Sequence, residues 1–205
     1  MRNLLIVAIA LALATPALAL TVTYGWEDGG SVLAVYPAGN MIATNVGAPD
    51  PVYAGLRSCK LEDAHPSGTP QAYVAWIKGL VDGNQVHCDF WIYDTTPTGE
   101  PSGRIWAHYN DDPNDVMGYA TSASGPNLYP AGTGWTNDGA TNYTWTMSGG
   151  HTGLVIEVRT YTNPGAIVWI DEMTVTAPDG ATIVLPAPVS AVESATWTGI
   201  KALYR

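Results

Sequence analysis

The chain alternates between short runs of apolar and β-branched residues and clusters of Gly, Pro, Asn and Asp. The clearest runs are 32–36, 56–62, 71–77, 85–93, 104–109, 142–147, 154–161 and 166–176, and a shorter strand-like run follows at 181–185. Short runs divided by turn residues are typical of β-sandwiches and barrels, and no helical periodicity interrupts them. The pattern therefore predicts an all-β fold, an antiparallel β-sandwich in a single domain over residues 20–186.

Alternation within several runs places large aromatic side chains on the same strand face as charged or amide groups. In the run 85–93, Trp91 and Tyr93 point away from the apolar face, and in 104–109 Trp106 does the same. We expect these side chains to lie together on one concave sheet. The full predicted set is Gln71, Tyr73, Trp91, Tyr93, Trp106, His108, Glu157, Arg159 and Tyr161.

A face of this composition suits a sugar ligand. The C–H faces of a pyranose stack on aromatic rings, while amides, carboxylates and Arg hydrogen-bond its hydroxyls. The alternative is that some of these rings pack under loops or under the C-terminal tail. We expect four other tryptophans to pack in the core: Trp26, Trp76, Trp135 and Trp145.

The two ends of the chain differ from the central domain. Arg2, the apolar run 4–14 and the small residues 17–19 follow the order of a secretory signal peptide, with cleavage after Ala19. The apolar run is about half of the roughly 20 residues that a spanning helix needs, although a retained anchor is the alternative. Residues 187–205 are predicted to form a tail with a short amphipathic helix, which docks on a partner, serves as an export or surface-sorting signal, or has no function.

Charge narrows the possible partners. Eighteen acidic residues outnumber eight basic ones, which gives a formal net charge of −10. Nucleic acid and anionic membranes are poor partners for such a surface. We therefore expect a protein without a membrane span that is secreted, periplasmic or attached to the cell surface.

The chain has two cysteines, Cys59 and Cys88, and both occupy core-facing positions of predicted strands. In an oxidising compartment such a pair predicts a disulfide, worth on the order of 3 to 4 kcal/mol for a loop of this length. Two separate buried thiols are the alternative.

Catalytic motifs are absent from the sequence. It contains neither G-x-S-x-G nor H-E-x-x-H, and its four histidines lack metal-ligand spacing. Paired carboxylates for glycoside hydrolysis would have to combine Glu157 with Asp89 or Asp94. The acidic run 111–115 is better interpreted as a solvated turn than as a cation site. We expect the protein not to be an enzyme.

Several segments, in order, resemble carbohydrate-binding modules of the galactose-binding-domain-like jelly-roll group, over residues 22–178. The segments are GWEDGG, GLRSCKLEDA, GLVDGNQVHCDFWIYD, GTGWTN, NYTWTM and VWIDEMTVTAP. The resemblance implies a jelly roll and a structural calcium held by Glu27 and Asp171. Two departures are Glu172 where a second Asp often stands and Trp26 in place of Phe. The last residues, ATWTGIKALYR, are similar to tails of uncharacterised exported bacterial proteins.

The sequence as a whole predicts a secreted, noncatalytic domain that recognises a polysaccharide or cell-surface glycan through one sheet face. A structural or adhesive surface protein without a small ligand is the second hypothesis. A polysaccharide hydrolase or lyase is the third.

Overall fold

A computed structural model describes residues 19–65, 68–95, 103–124, 134–137, 141–160 and 165–188. Within these ranges the regular structure is entirely β: β1 (Ala19–Tyr24), β2 (Ala34–Tyr36), β3 (Met41–Val46), β4 (Ser58–Asp63), β5 (Gln71–Lys78), β6 (Gln85–Asp94), β7 (Arg104–Asn110), β8 (Tyr119–Ser124), β9 (Gly134–Thr136), β10 (Thr141–Thr144), β11 (Gly153–Arg159), β12 (Ile167–Pro178) and β13 (Thr182–Val184). In this part of the chain no helix is long and apolar enough to cross a bilayer. The predicted signal peptide, up to residue 18, and the tail after residue 188 lie outside the described residues.

The strands form two antiparallel sheets. The seven-stranded sheet has the order β10-β6-β12-β4-β3, with β1 also paired to β12 and β9 to β6. The six-stranded sheet has the order β13-β5-β11-β7-β8, with β2 paired to β5. The all-β sandwich prediction is confirmed.

The main core lies between the sheets, and its residues follow the predicted alternation. On β6, Phe90 and Ile92 are buried, while Trp91 and Tyr93 are partly exposed on the opposite side. The largest side chains of the core that are fully buried are Trp26, Trp145, Phe90, Leu61, Ile77, Ile105, Leu154, Ile156, Ile170 and Met173. The core prediction is thus confirmed for Trp26 and Trp145.

Core packing is also confirmed for Trp76, although in a different cluster, whereas the same prediction is wrong for Trp135. Trp76 is buried in a second, smaller cluster with Tyr73 and Val155, and Trp135 is half-buried outside the core clusters. The register explains Trp76, because it lies opposite Val155, and the neighbours of Val155 on β11 face the main core instead.

The predicted disulfide does not form, because Cys59 and Cys88 are both free and buried. Cys59 is on β4 and Cys88 is on β6, and β12 lies between these strands. Strands are about 4.8 Å apart, so two intervals already exceed the roughly 7 Å between Cα atoms that a disulfide spans. The thiols are also offset along β12, where Cys59 pairs with Ile170 and Cys88 with Val175. Burial raises the pKa of both thiols.

Candidate functional site

The side chains predicted to line one concave sheet are divided between the two sheets. Trp91 and Tyr93 lie on β6 of the seven-stranded sheet, and Tyr161 lies outside the described residues. The other members lie on β5, β7 and β11, which are neighbours in the six-stranded sheet. We call these members the Glu157 cluster: Gln71, Tyr73, Trp106, His108, Glu157 and Arg159. The prediction that all these side chains line one concave sheet is therefore wrong. Side-chain alternation assigns a residue to one side of its own strand, but it does not show which sheet the strand joins.

Strand register brings the Glu157 cluster together. β11 lies between β5 and β7, so Glu157 is directly opposite both Tyr73 and Trp106. Arg159 is opposite Gln71 on one side and Arg104 on the other. The register with β5 shifts beside the carboxylate, because Ile156 pairs with Ala75 and Glu157 with Tyr73, which leaves Val74 as the extra residue of a bulge in β5. Such bulges re-aim side chains and are frequent beside functional sites.

Glu157 is a fully buried carboxylate on the outer side of the six-stranded sheet. Its Oε1 accepts hydrogen bonds from Arg159 Nε at 3.0 Å and from Arg159 Nη2 at 2.6 Å. His108 Nδ1 lies 3.6 Å from the same oxygen, and the side chain of Arg159 is only 12 % exposed. A buried charge is tolerated when it is paired and hydrogen-bonded, and Arg159 provides that pairing.

Trp106 is half-buried, as is Arg159, whereas the other members of the Glu157 cluster are buried. Its indole N–H donates to Ser122 Oγ at 2.7 Å, which fixes the orientation of the ring. The guanidinium carbon of Arg104 lies 4.3 Å from the ring centroid and that of Arg159 lies 4.8 Å from it. Both guanidinium groups lie over the ring in cation–π contact, so the indole and the two cations together form an amphipathic patch.

The rest of the Glu157 cluster is more enclosed than an open platform would be. Tyr73, His108 and Glu157 have no exposed surface, and Gln71 is 8 % exposed. Apolar side chains pack over this part of the sheet: Leu33, Ala34, Val116, Met117 and Val184. Burial, reinforced by the charge of Glu157, raises the pKa of the Tyr73 phenol. For Tyr73 and His108, the alternative that some of the predicted rings are covered by other parts of the chain is therefore confirmed.

Unsatisfied polar atoms mark the enclosed part of the Glu157 cluster. Among the residues that the structure describes, Glu157 Oε2, both ring nitrogens of His108 and Trp76 Nε1 are buried without a hydrogen-bond partner. Buried polar groups are nearly always satisfied, so a concentration of exceptions on one sheet face calls for an explanation. Such atoms are suited to hydrogen-bond a buried water molecule.

Trp91 and Tyr93 belong to a second aromatic group on the outer side of the seven-stranded sheet. We call it the Tyr53 cluster: Tyr53, Trp91, Tyr93, Trp135 and Trp169. The rings of Tyr53 and Trp91 are stacked, with centroids 4.0 Å apart and planes 14° from parallel. Tyr53 was missed at the sequence level, because it lies in a loop without periodicity. Trp169 could have been found from the alternation within 166–176.

The two residues predicted to bind calcium both hold the loop that carries Tyr53. Asp171 Oδ2 accepts hydrogen bonds from the backbone N–H groups of Tyr53, at 2.9 Å, and Ala54, at 3.1 Å. Glu27 Oε1 accepts from the N–H groups of Leu56, at 2.7 Å, and Arg57, at 2.9 Å. Burial raises the pKa of Asp171, and three backbone hydrogen bonds partly oppose that shift.

The loop approaches Glu27 so closely that residue 55 must be glycine. Gly55 has a φ of 68°, in the left-handed region, and a Cβ there would collide with Glu27 Oε1. Asp171 is positioned by a bulge of β12, because the register with β6 shifts between Asp171 and Thr174 and Glu172 has a φ of 48°.

The described side chains fit a calcium ion poorly. Both oxygens of Asp171 already accept backbone N–H groups, since Oδ1 accepts from Glu172 N at 2.8 Å. Within the described ranges, His, Cys, Asp and Glu side chains nowhere gather in a group of three or more that could hold a metal. Calcium takes about six to eight oxygen ligands, and Glu27 and Asp171 would supply few of them.

The structure also rules out the carboxylate pairs considered for hydrolysis. Asp89 and Asp94 are on β6 of the seven-stranded sheet, whereas Glu157 is on β11 of the other sheet. Packed sheets are about 10 Å apart with the core between them, so these carboxylates do not share a site. The acidic run 111–115 is an exposed turn, as predicted, in which Asp112 accepts the backbone N–H of Asn114 at 2.8 Å.

Comparisons with known proteins identify the fold. No protein-family model matches the chain, and no curated protein matches it. Among solved structures, the CBM22-1 xylan-binding domain of Paenibacillus barcinonensis Xyn10C is similar at 13% identity with a TM-score of 0.52, covering 80% of this chain and 97% of that domain. The CBM22-1-CBM22-2 tandem of the same protein is similar at 14% identity and a TM-score of 0.53, covering 89% of this chain, which spans 50% of the tandem. An arabinose-bound α-L-arabinofuranosidase has a TM-score of 0.50 at 13% identity, with 75% of this chain and 25% of that one covered. The predicted resemblance to carbohydrate-binding modules is confirmed at the level of the fold.

Proposed function

We propose that the protein is a noncatalytic polysaccharide-binding domain that contacts its ligand at the outer side of the six-stranded sheet. The half-buried Trp106, with two guanidinium groups over its ring, carries this proposal. An aromatic face surrounded by hydrogen-bond donors matches a pyranose, which has C–H faces and hydroxyl edges. The fold shared with a xylan-binding domain supports the same ligand class and makes xylan the first polysaccharide to test.

The members of the Glu157 cluster have different roles in this proposal. Trp106 stacks on the sugar, and Arg159 donates hydrogen bonds to its hydroxyls. Glu157 is a positioning residue, because its two hydrogen bonds keep the Arg159 guanidinium near the indole. Tyr119, which is 47% exposed and lies 5.0 Å from the His108 ring, extends the aromatic surface beyond Trp106.

A noncatalytic role agrees with the environment of Glu157. General acid catalysis in glycosidases needs a carboxyl group that carries a proton, together with a second carboxylate across the scissile bond. Glu157 instead forms an ion pair with Arg159, and the carboxylates considered as its partners, Asp89 and Asp94, are on the other sheet. The adhesive alternative, a surface protein without a small ligand, is favoured only if no polysaccharide binds.

Export through the signal peptide 1–19, followed by residence outside the cytoplasm, belongs to the same proposal. A polysaccharide ligand is met at the cell surface or beyond it, and the order of residues at the N-terminus supports that destination. The tail 187–205 would then follow the binding domain.

Tryptophan fluorescence tests the proposal. Soluble xylan, arabinoxylan and β-glucan are titrated into the purified protein, and we expect a saturable shift with at least one of them. Trp106→Ala should abolish the shift at this site, whereas Ile42→Ala, an exposed residue of the other sheet, should not. A broad glycan panel without binding would favour the adhesive alternative, and release of reducing ends would contradict the noncatalytic role.

A further inference from the structure

Outside the Glu157 cluster, the most developed surface feature is the Tyr53 cluster on the opposite sheet. Three of its rings lie directly across neighbouring strands, since Tyr93 pairs with Trp135 on β9 and with Trp169 on β12. The ring centroids of these pairs are 5.5 and 5.6 Å apart in edge-to-face geometry. The row is therefore a continuous aromatic strip across three strands.

Tyr53 lies on top of this strip and is held there rigidly. Its ring stacks on Trp91, contacts Trp135 at 5.7 Å in edge-to-face geometry, and remains 41% exposed. The loop beneath is fixed by four backbone N–H groups that donate to Asp171 and Glu27. Asp171 Oδ2 and Glu27 Oε1 each accept two of these hydrogen bonds, so the ring is pre-organised before any ligand arrives.

The surroundings of the strip are polar, which indicates the kind of ligand. Beyond Trp169, the next residues across the sheet are Lys60 on β4 and Thr44 on β3. Lys60 Nζ forms an ion pair with Glu62 Oε2 at 3.3 Å. Asp50 accepts the indole N–H of Trp169 at 3.2 Å. Aromatic rings between hydrogen-bonding groups suit an amphipathic ligand with apolar faces and polar edges, and a purely apolar partner would leave these polar groups buried.

We propose that the Tyr53 cluster is a second polysaccharide-binding site, with the exposed face of Tyr53 as its stacking platform. This inference rests on the proposed function for the ligand class but uses a different sheet and different residues. The two sites lie on the outer sides of opposite sheets, so one sugar chain segment cannot fill both. The domain would therefore bridge two polysaccharide chains or two segments of one chain.

Bridging predicts avidity that single-site variants lose. Linking two sites raises apparent affinity by about 10²- to 10⁴-fold when both can be engaged. On insoluble xylan, measured by depletion of the full chain from solution, Tyr53→Ala and Trp106→Ala should each weaken binding by about tenfold or more. The double variant should not bind. Tyr53→Phe keeps the ring and should bind as the wild type does, and Ile42→Ala is the control on the same sheet.

Each outcome of the depletion experiment decides the inference separately from the proposed function. If Tyr53→Ala binds as well as the wild type and Trp106→Ala does not bind, the second site is refuted and the first stands. If only Tyr53→Ala loses binding, the second site stands and the first is refuted. If the wild type binds no polysaccharide, or if light scattering shows a dimer that Tyr53→Ala dissociates, the inference is overturned. Circular dichroism and melting of Tyr53→Ala check that the loop substitution leaves the fold intact.

Discussion

Removing the Arg159 guanidinium should destabilise the fold strongly. Arg159→Met keeps the aliphatic stem but removes both hydrogen bonds to Glu157 Oε1. Glu157 is fully buried, and removing one partner of a buried ion pair leaves the other without compensation. The free energy of unfolding should therefore fall by about 3–5 kcal/mol.

Urea unfolding followed by tryptophan fluorescence measures this loss in the free energy of unfolding. In a thermal melt, at about 2–4 °C per kcal/mol, the melting temperature should fall by roughly 6–20 °C. Glu157→Gln combined with Arg159→Met should recover much of the loss, because both partners are then neutral. Lys78→Met is the control, since Lys78 lies 4.3 Å from the Trp76 ring centroid and its loss should cost only about 0.5–1 kcal/mol. A loss below about 1 kcal/mol for Arg159→Met would refute the reasoning.

Three further predictions concern the thiols, the loop carboxylates and the buried phenols. Because Cys59 and Cys88 are separated by β12, thiol titration in denaturant should find two free thiols and reductant should leave the melting temperature unchanged; a shift on reduction would contradict this. Because Asp171 already accepts hydrogen bonds from backbone N–H groups, excess chelator should leave the melting temperature unchanged. A melting temperature that falls by several degrees on chelation, together with metal found in the purified protein, would support the predicted calcium site instead. Burial raises the pKa of Tyr24 and Tyr73 above the ordinary value of 10.0, so these phenols stay neutral in the folded state while the unfolded state ionises. The contribution of these phenols to the free energy of unfolding should thus be fully present below pH 10 and fall above it by about 1.4 kcal/mol per pH unit for each phenol. Their ionisation is followed by absorbance at 295 nm, and ionisation of both near pH 10 without unfolding would contradict the burial.

Much of the fold could be predicted because alternation is a local property. The predicted run 85–93 corresponds to β6, and 71–77 corresponds to β5. Four strands were not anticipated: β1, β3, β8 and β9. β8 is built mainly from small and hydroxyl side chains, and β9 has only three residues, so neither has a strong apolar alternation.

Sheet membership and loop packing could not be predicted in the same way. Trp91 and Trp106 have equivalent local patterns, but β6 and β7 join different sheets because of pairings distant in sequence. The position of Tyr53 depends on Asp171, 118 residues away. Calcium binding by Glu27 and Asp171 was predicted from a family pattern. Their hydrogen bonds to the backbone of the loop 53–57 could not be predicted, because they depend on where that loop lies.

Nuclear magnetic resonance of the tryptophan indole N–H groups during titration with a xylo-oligosaccharide tests the central claim most directly. The chain has eight tryptophans, and each gives its own indole signal. We expect the Trp106 signal to shift in a saturable way, while those of Trp26 and Trp145, buried in the main core, remain unchanged. Saturable binding that leaves Trp106 unmoved, or no binding to this or any other oligosaccharide tested, would contradict a polysaccharide site at the Glu157 cluster.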